Sequence, residues 1–196
     1  MKISIPISLF VVCGGLAAVR AETPRQYIVE SKPLCIGDLE FVTVTERKWS
    51  GAPTSQRDSK PLELQFRITN LSDKEVVFPT FDTFRPVIFD STGKEVQAHG
   101  GRDATFVTPA IVIPPKGSFA LVRSASLEFH EKDKRVYFLY RDATGSSQTN
   151  WLVPGSYQVA FSFDAADRGP GVKPDPATWT GKGTTPAATF EYVAKP

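Results

Sequence analysis

Between Pro61 and Pro79 apolar and polar positions alternate more cleanly than anywhere else in the chain. Leu62, Leu64, Phe66 and Ile68 interleave with Glu63, Gln65, Arg67 and Thr69 ahead of Asn70-Leu71-Ser72-Asp73-Lys74. A period of two places the four apolar side chains on one face of a strand. The polar pentapeptide predicts a tight turn, and Val76 and Phe78 continue the apolar face beyond it. The stretch therefore reads as a hairpin in an antiparallel sheet with one face on a core. Tyr157, Val159, Phe161 and Phe163, after Pro154-Gly155, form a second clean alternation.

Other strands are expected at weaker signals. From Asp38, Leu39, Phe41 and Thr43 against Glu40, Val42 and Val44 predict a strand that ends near Trp49 and is curved or buried on both faces. Val87-Ile88-Phe89 runs into Ser91-Thr92-Gly93, with Lys94 to Ala98 leaving, as a second hairpin. Phe106 to Ile113 is rich in β-branched residues, but Pro109 confines it to an edge or a bend. Pro114-Pro115-Lys116-Gly117 is a turn, Ser118 to Phe129 and Val136 to Tyr140 are strands, and Thr189 to Val193 closes the chain. Ser50–Lys60, Gly100–Asp103, Asp142–Asn150 and Asp164–Lys182 lack periodicity and are expected as loops. No stretch carries a helical stripe. The pattern predicts an all-β protein, an immunoglobulin-like antiparallel β-sandwich of about eight to nine strands.

The N-terminus changes the picture. Lys2, an apolar run from Ile3 to Val12 and the small residues of Val19-Arg20-Ala21 have the layout of a secretory signal peptide over residues 1–21. The run is too short, and too interrupted by Pro6 and Gly14-Gly15, to read as a membrane span. Residues 22–37 are then a lead-in, polar from Glu22 to Lys32 where only Tyr27, Ile28 and Val29 suit an edge, and residues 38–196 form a single β-sandwich domain. The 23 basic side chains lose Lys2 and Arg20 with the signal and so match the 21 acidic ones. A balanced chain argues against nucleic acid or an anionic membrane as partner. Export, to a periplasm or outside the cell, is the expected destination. Cys13 leaves with the signal, so Cys35 has no intramolecular partner; between Leu34 and Ile36 it is expected as a small buried hydrophobe, with pairing between chains as the alternative.

No catalytic or metal-binding constellation is legible, and no cofactor is implied. His99 and His130, the two histidines, lie far apart without a ligand-spaced partner and are expected to be structural or solvent-facing. Asp164, Asp167 and Asp175 lack the alternation of a calcium loop. Gly181-Lys182-Gly183-Thr184 lacks the first glycine of a phosphate loop, since Pro176 stands there. Asp82, Asp90, Glu95, Glu128, Asp142 and Asp164 sit near strand ends, where surface acids are ordinary. The tryptophans are more informative. Trp151 and Trp179 fall in expected loops and Trp49 closes a strand, so these three are the candidate binding residues, tryptophan being a preferred interface anchor. The competing expectation is that each seals one end of the sandwich.

Phe66-Arg67-Ile68-Thr69-Asn70-Leu71-Ser72-Asp73, Val87-Ile88-Phe89-Asp90-Ser91-Thr92-Gly93-Lys94-Glu95-Val96, Ile113-Pro114-Pro115-Lys116-Gly117 and Val153-Pro154-Gly155-Ser156-Tyr157-Gln158-Val159 occur in that order. Together they resemble the bacterial intracellular proteinase inhibitor-like sandwich domains, over about Leu62 to Phe163. The resemblance implies an immunoglobulin-like fold and a protein-binding role; Pro79 to Arg85 lacks the small-residue and glycine pattern of an inhibitory site, so no inhibitory residue is carried over. Asp175-Pro176-Ala177-Thr178-Trp179-Thr180-Gly181 is similar to the close of uncharacterised secreted bacterial β-sandwich domains. The expected function is non-enzymatic recognition of a protein partner by sandwich loops, with a carbohydrate-binding module acting on polysaccharide, or a protease inhibitor, as alternatives.

Overall fold

The computed structural model describes residues 27–50, 59–80, 83–102, 110–122, 124–132, 134–141, 146–165 and 177–194. The regular elements among these residues are all strands, joined by turns, and include no helix. The strands are β1 (Ile28–Glu30), β2 (Leu34–Ile36), β3 (Leu39–Glu46), β4 (Lys48–Ser50), β5 (Lys60–Leu62) and β6 (Leu64–Asn70). They continue with β7 (Val76–Phe78), β8 (Phe84–Asp90), β9 (Ala98–Arg102), β10 (Ile111–Ile113), β11 (Ser118–Val122) and β12 (Ser124–His130). The last are β13 (Arg135–Arg141), β14 (Ser146–Leu152), β15 (Gly155–Asp164), β16 (Lys182–Thr184) and β17 (Ala188–Val193). All ladders between them are antiparallel except that of β17 with β4.

One sheet runs β1-β3-β6-β11, with β2 also on β3, and another runs β5-β12-β13-β14-β9. The two share a register. Gln65 lies opposite Val122 and Leu62 opposite Ala125, so three steps along one strand match three steps back along the other. They are halves of one bent layer, interrupted at Glu63. The facing sheet is centred on β15, which holds β8 on one edge and β17 and β16 on the other. The chain crosses between layers at Arg47, whose N–H donates to the Tyr27 carbonyl while its own carbonyl accepts from Glu191.

The alternation read in the sequence makes the core. Leu64, Phe66 and Ile68 of β6 and Phe41 of β3 are fully buried. Their rings meet those of β15 across the layers: Phe41 stacks on Phe163 at 4.5 Å and Phe66 lies 5.1 Å from Phe161. Phe138 and Tyr140 of β13 extend this core under the second half of the bent layer. Offset and tilted aromatic pairs of this kind each add about 0.5–1.5 kcal/mol beyond the area they bury. β3 is buried on both faces from Val42 to Thr45, one of the two readings that its sequence left open. Its inward threonines are satisfied: Thr43 Oγ1 and Thr185 Oγ1 are 2.6 Å apart, and Thr45 Oγ1 accepts the indole N–H of Trp49 at 3.1 Å.

Several expectations need correcting. The stretch Pro61–Pro79 is not a hairpin: the strand and the turn are present, but β7 pairs with β10 instead of returning along β6. Both edges of β6 are already occupied, by β3 and β11, so no edge is left for a return strand. Gly100–Arg102 and Ser146–Asn150, expected within loops, belong instead to β9 and β14, which pair with each other. The described part of the lead-in is also structural, since β1 and β2 both pair with β3. Strands are shorter and more numerous than the expected eight to nine, because Arg47 and Glu63 interrupt long ladders and because polar segments join the sheets. Cys35 is exposed, not buried, at the centre of β2 while Leu34 and Ile36 turn inward.

Across the outward face of β1, β3 and β6, Arg67 clamps Glu30 with two hydrogen bonds of 2.8 and 2.6 Å. Those bonds, aided by the guanidinium charge, hold the Glu30 carboxyl below the ordinary carboxylate range. A depressed folded value stabilises the protein above the unfolded pKa of about 4.3, and the gain is lost as pH falls through the lower folded value. With the Glu30 side chain 49% exposed, screening keeps the effect below about 1 kcal/mol. Glu30→Gln is therefore expected to unfold slightly earlier in urea at pH 7 and to match the parent at pH 2; an equal deficit at both values would assign the loss to packing.

Candidate functional site

Inward and outward positions along β12, β13 and β14 separate cleanly. Leu127, Phe138, Tyr140 and Leu152 point into the core. The ladders set Glu128 opposite Tyr137 and Tyr137 opposite Trp151, and Leu139 opposite Thr149 and Thr149 opposite His99. These side chains share the outward face. His99, Glu128, His130, Tyr137, Leu139 and Thr149 line a cleft of about 220 Å³, with Leu139, 6% exposed, as its apolar floor.

Beside the cleft, the Arg135 guanidinium lies 4.0 Å from the centre of the Trp151 ring. A cation over an indole face is attracted by the ring quadrupole and holds the ring's orientation. His130 meets the edge of Tyr137 at 5.0 Å. Glu128 accepts a hydrogen bond from Ser126 Oγ at 3.3 Å and lies at ion-pair range, 4.0 Å, from Arg141. The histidines that the sequence places far apart thus flank one cleft. Among the described residues no group of three or more His, Cys, Asp or Glu side chains is arranged to hold a metal ion, and no helix is long and apolar enough to cross a membrane.

The three candidate tryptophans part company. Trp49 is fully buried, stacked on Phe190 at 3.6 Å and on Phe138 at 5.3 Å; as an exposed anchor it is excluded by its position between the layers. Trp179 is partly buried against Phe41 and Phe78 at 5.3 and 5.5 Å and closes the opposite end of the core. Its indole lies over Gly181, where an added Cβ would fall 2.2 Å from the ring, and a Cβ at Gly183 would meet Ile36 at 2.9 Å. Close packing therefore accounts for the glycines of Gly181-Lys182-Gly183-Thr184. Only Trp151, 42% exposed, faces solvent. Of the candidate loops, residues 51–58, 103, 142–145 and 166–176 lie outside the described residues, as do Asp167 and Asp175 of the weighed calcium loop.

Sequence reasoning missed this face because β14 does not alternate in polarity. Its inward positions include Gln148 and Asn150. Asn150 is buried, with its amide N–H donating to the Val96 carbonyl at 3.0 Å, while Gln148 donates to the Pro86 carbonyl at 2.9 Å. Buried amides with partners from distant segments cost little, but nothing in the local pattern announces those partners. The readable signal was Tyr137 and Leu139 alternating with Phe138 and Tyr140, which marks a strand with an apolar side on both faces.

At the entry to β15 the Tyr157 hydroxyl donates to the Val153 carbonyl at 2.7 Å and accepts from the Val153 N–H at 3.1 Å. This arrangement pins the Pro154-Gly155 corner to the strand that ends in Trp151-Leu152. Tyr157→Phe is expected to cost about 1–2 kcal/mol in chemical denaturation, the value of two partly buried hydrogen bonds lost together. A change under about 0.3 kcal/mol would mean that water replaces the hydroxyl at no cost. No family model, curated protein or solved structure matches this chain.

Proposed function

We propose that the chain is an exported, non-enzymatic, immunoglobulin-like β-sandwich that recognises a protein partner. The immunoglobulin-like part of the reading is supported by the Tyr157 corner, a hydroxyl bonded back to the backbone just upstream at a strand entry, and by the resemblance of the strand and turn segments to the inhibitor-like domains. Export rests on the signal-like residues 1–21, and the destination is a periplasm or the medium. Recognition is assigned to the open face of β12, β13, β14 and β9 together with the loops that adjoin it.

The observation that carries this reading is Trp151, exposed on a paired strand and held by Arg135, with Tyr137 directly opposite. Tryptophan, tyrosine and arginine are the residues most enriched at the energetic centres of protein interfaces. A sugar platform is less well served, because the guanidinium already covers one face of the indole. The test is affinity capture from an envelope and secreted-protein extract with residues 22–196 and with the Trp151→Ala variant. One partner retained by the parent and lost from the variant, roughly thirtyfold in affinity for a hot-spot residue, is the expected result. Equal retention by both proteins sinks the assignment to this face.

A further inference from the structure

Charge is unevenly spread over the two outward faces of the bent layer. Around the face of β12 and β13 stand Arg135 and Arg141 against Glu128, while the Glu131-Lys132-Asp133-Lys134 segment between the two strands is formally neutral. The outward face of β1, β3 and β6 carries Glu30, Glu40 and Glu46 against Arg67. A chain whose basic and acidic side chains balance after residue 21 is thus cationic on the face that bears Trp151. Among the described residues Arg141 makes a 4.0 Å contact with Glu128 and Arg135 rests on an aromatic ring, contacts that leave guanidinium N–H groups to meet a carboxylate.

We infer that this face receives an acidic segment of a protein partner, with carboxylates at Arg135 and Arg141 and a neighbouring apolar or aromatic side chain in the cleft over Leu139. The inference rests on the protein-binding reading and names its chemistry. Guanidinium and carboxylate match in a two-bond geometry, and a cleft of about 220 Å³ suits one large side chain. Opposed charges across the contact set both the rate of encounter and the choice of partner.

The probe is a labelled copolymer of glutamate and tyrosine, with a lysine–tyrosine copolymer as the charge-reversed control and polygalacturonate as an acidic sugar polymer. Residues 22–196 are compared with Arg135→Glu, Arg141→Glu and, on the remote turn after β8, Lys94→Glu, each checked for an unchanged melting profile. Binding of the glutamate–tyrosine copolymer that weakens about tenfold in either arginine variant, is untouched by Lys94→Glu and declines with salt is the expected result. Absence of binding, equal binding to all variants, or polygalacturonate binding as tightly as the copolymer overturns it. If the copolymer fails while a captured partner still depends on Trp151, the acidic chemistry is lost and the protein-binding reading stands.

Discussion

Trp49→Ala is expected to lower folding stability by about 4 kcal/mol, the largest effect of any single change considered. The indole is fully buried between layers, stacked on Phe190 and Phe138, and its N–H is the donor to Thr45 Oγ1. Alanine removes the stacking surface, opens a cavity that the surrounding strands fill only in part, and deprives a buried hydroxyl of its donor. In urea the midpoint should fall with little change in slope. Trp49→Phe should recover about half of the loss, since a ring is restored and the donor is not. Trp151→Ala supplies the contrast, with a loss of about 1 kcal/mol or less, the value of the exposed Arg135 cation–π contact that it removes. A Trp49→Ala protein as stable as Trp151→Ala would contradict the packing described.

Asn70→Ala is the second large effect, expected at about 3 kcal/mol. The Asn70 side chain is fully buried at the end of β6. Its amide nitrogen donates to the carbonyls of Lys74, Ile113 and Pro114 at 2.7, 3.1 and 3.1 Å. Its oxygen accepts from the N–H and the hydroxyl of Ser72 at 2.9 and 2.8 Å. One side chain therefore ties its own turn to the Pro114-Pro115-Lys116-Gly117 turn, whose Lys116 takes a positive φ of 56°. Asn70→Asp separates the two halves of this network. It keeps the acceptor for Ser72 but turns an oxygen toward the three carbonyls, so it should be at least as destabilising as alanine at pH 7. Amide exchange should show the Leu71 to Lys74 turn and the Pro114 turn losing protection together; loss confined to the first would show that the link between them carries little energy.

Asn70 also illustrates what was legible. The sequence of Asn70-Leu71-Ser72-Asp73-Lys74 declares a turn, because asparagine and serine side chains bond to backbone groups two residues on, and the Ser72 contacts do this. The more distant carbonyls of Ile113 and Pro114 belong to a segment over forty residues away and leave no local trace. In the same way Trp49 reads as a strand end beside a loop, and only the crossing at Arg47 carries it between the layers. Trp151 reads as a loop residue because its neighbours Gln148 and Asn150 are polar, although both are bonded inside. The face that unites Trp151, Tyr137, His99 and His130 required three ladders to assemble, and no spacing along the chain encodes it.

Alternation and turn chemistry by themselves determined that the protein is built of strands, that β6 and β15 present their aromatic faces to a core, and where the Asp90 to Lys94 and Pro114 to Gly117 turns fall. These features arise from side-chain direction and backbone preference within a few residues. Tertiary structure alone decided which strands are neighbours, sending β7 to β10 because β6 had no free edge. It also decided which tryptophan faces solvent. Pairing partners and burial depend on competition among all strands for edges and for the apolar interior, and that competition is resolved only when the whole chain has folded.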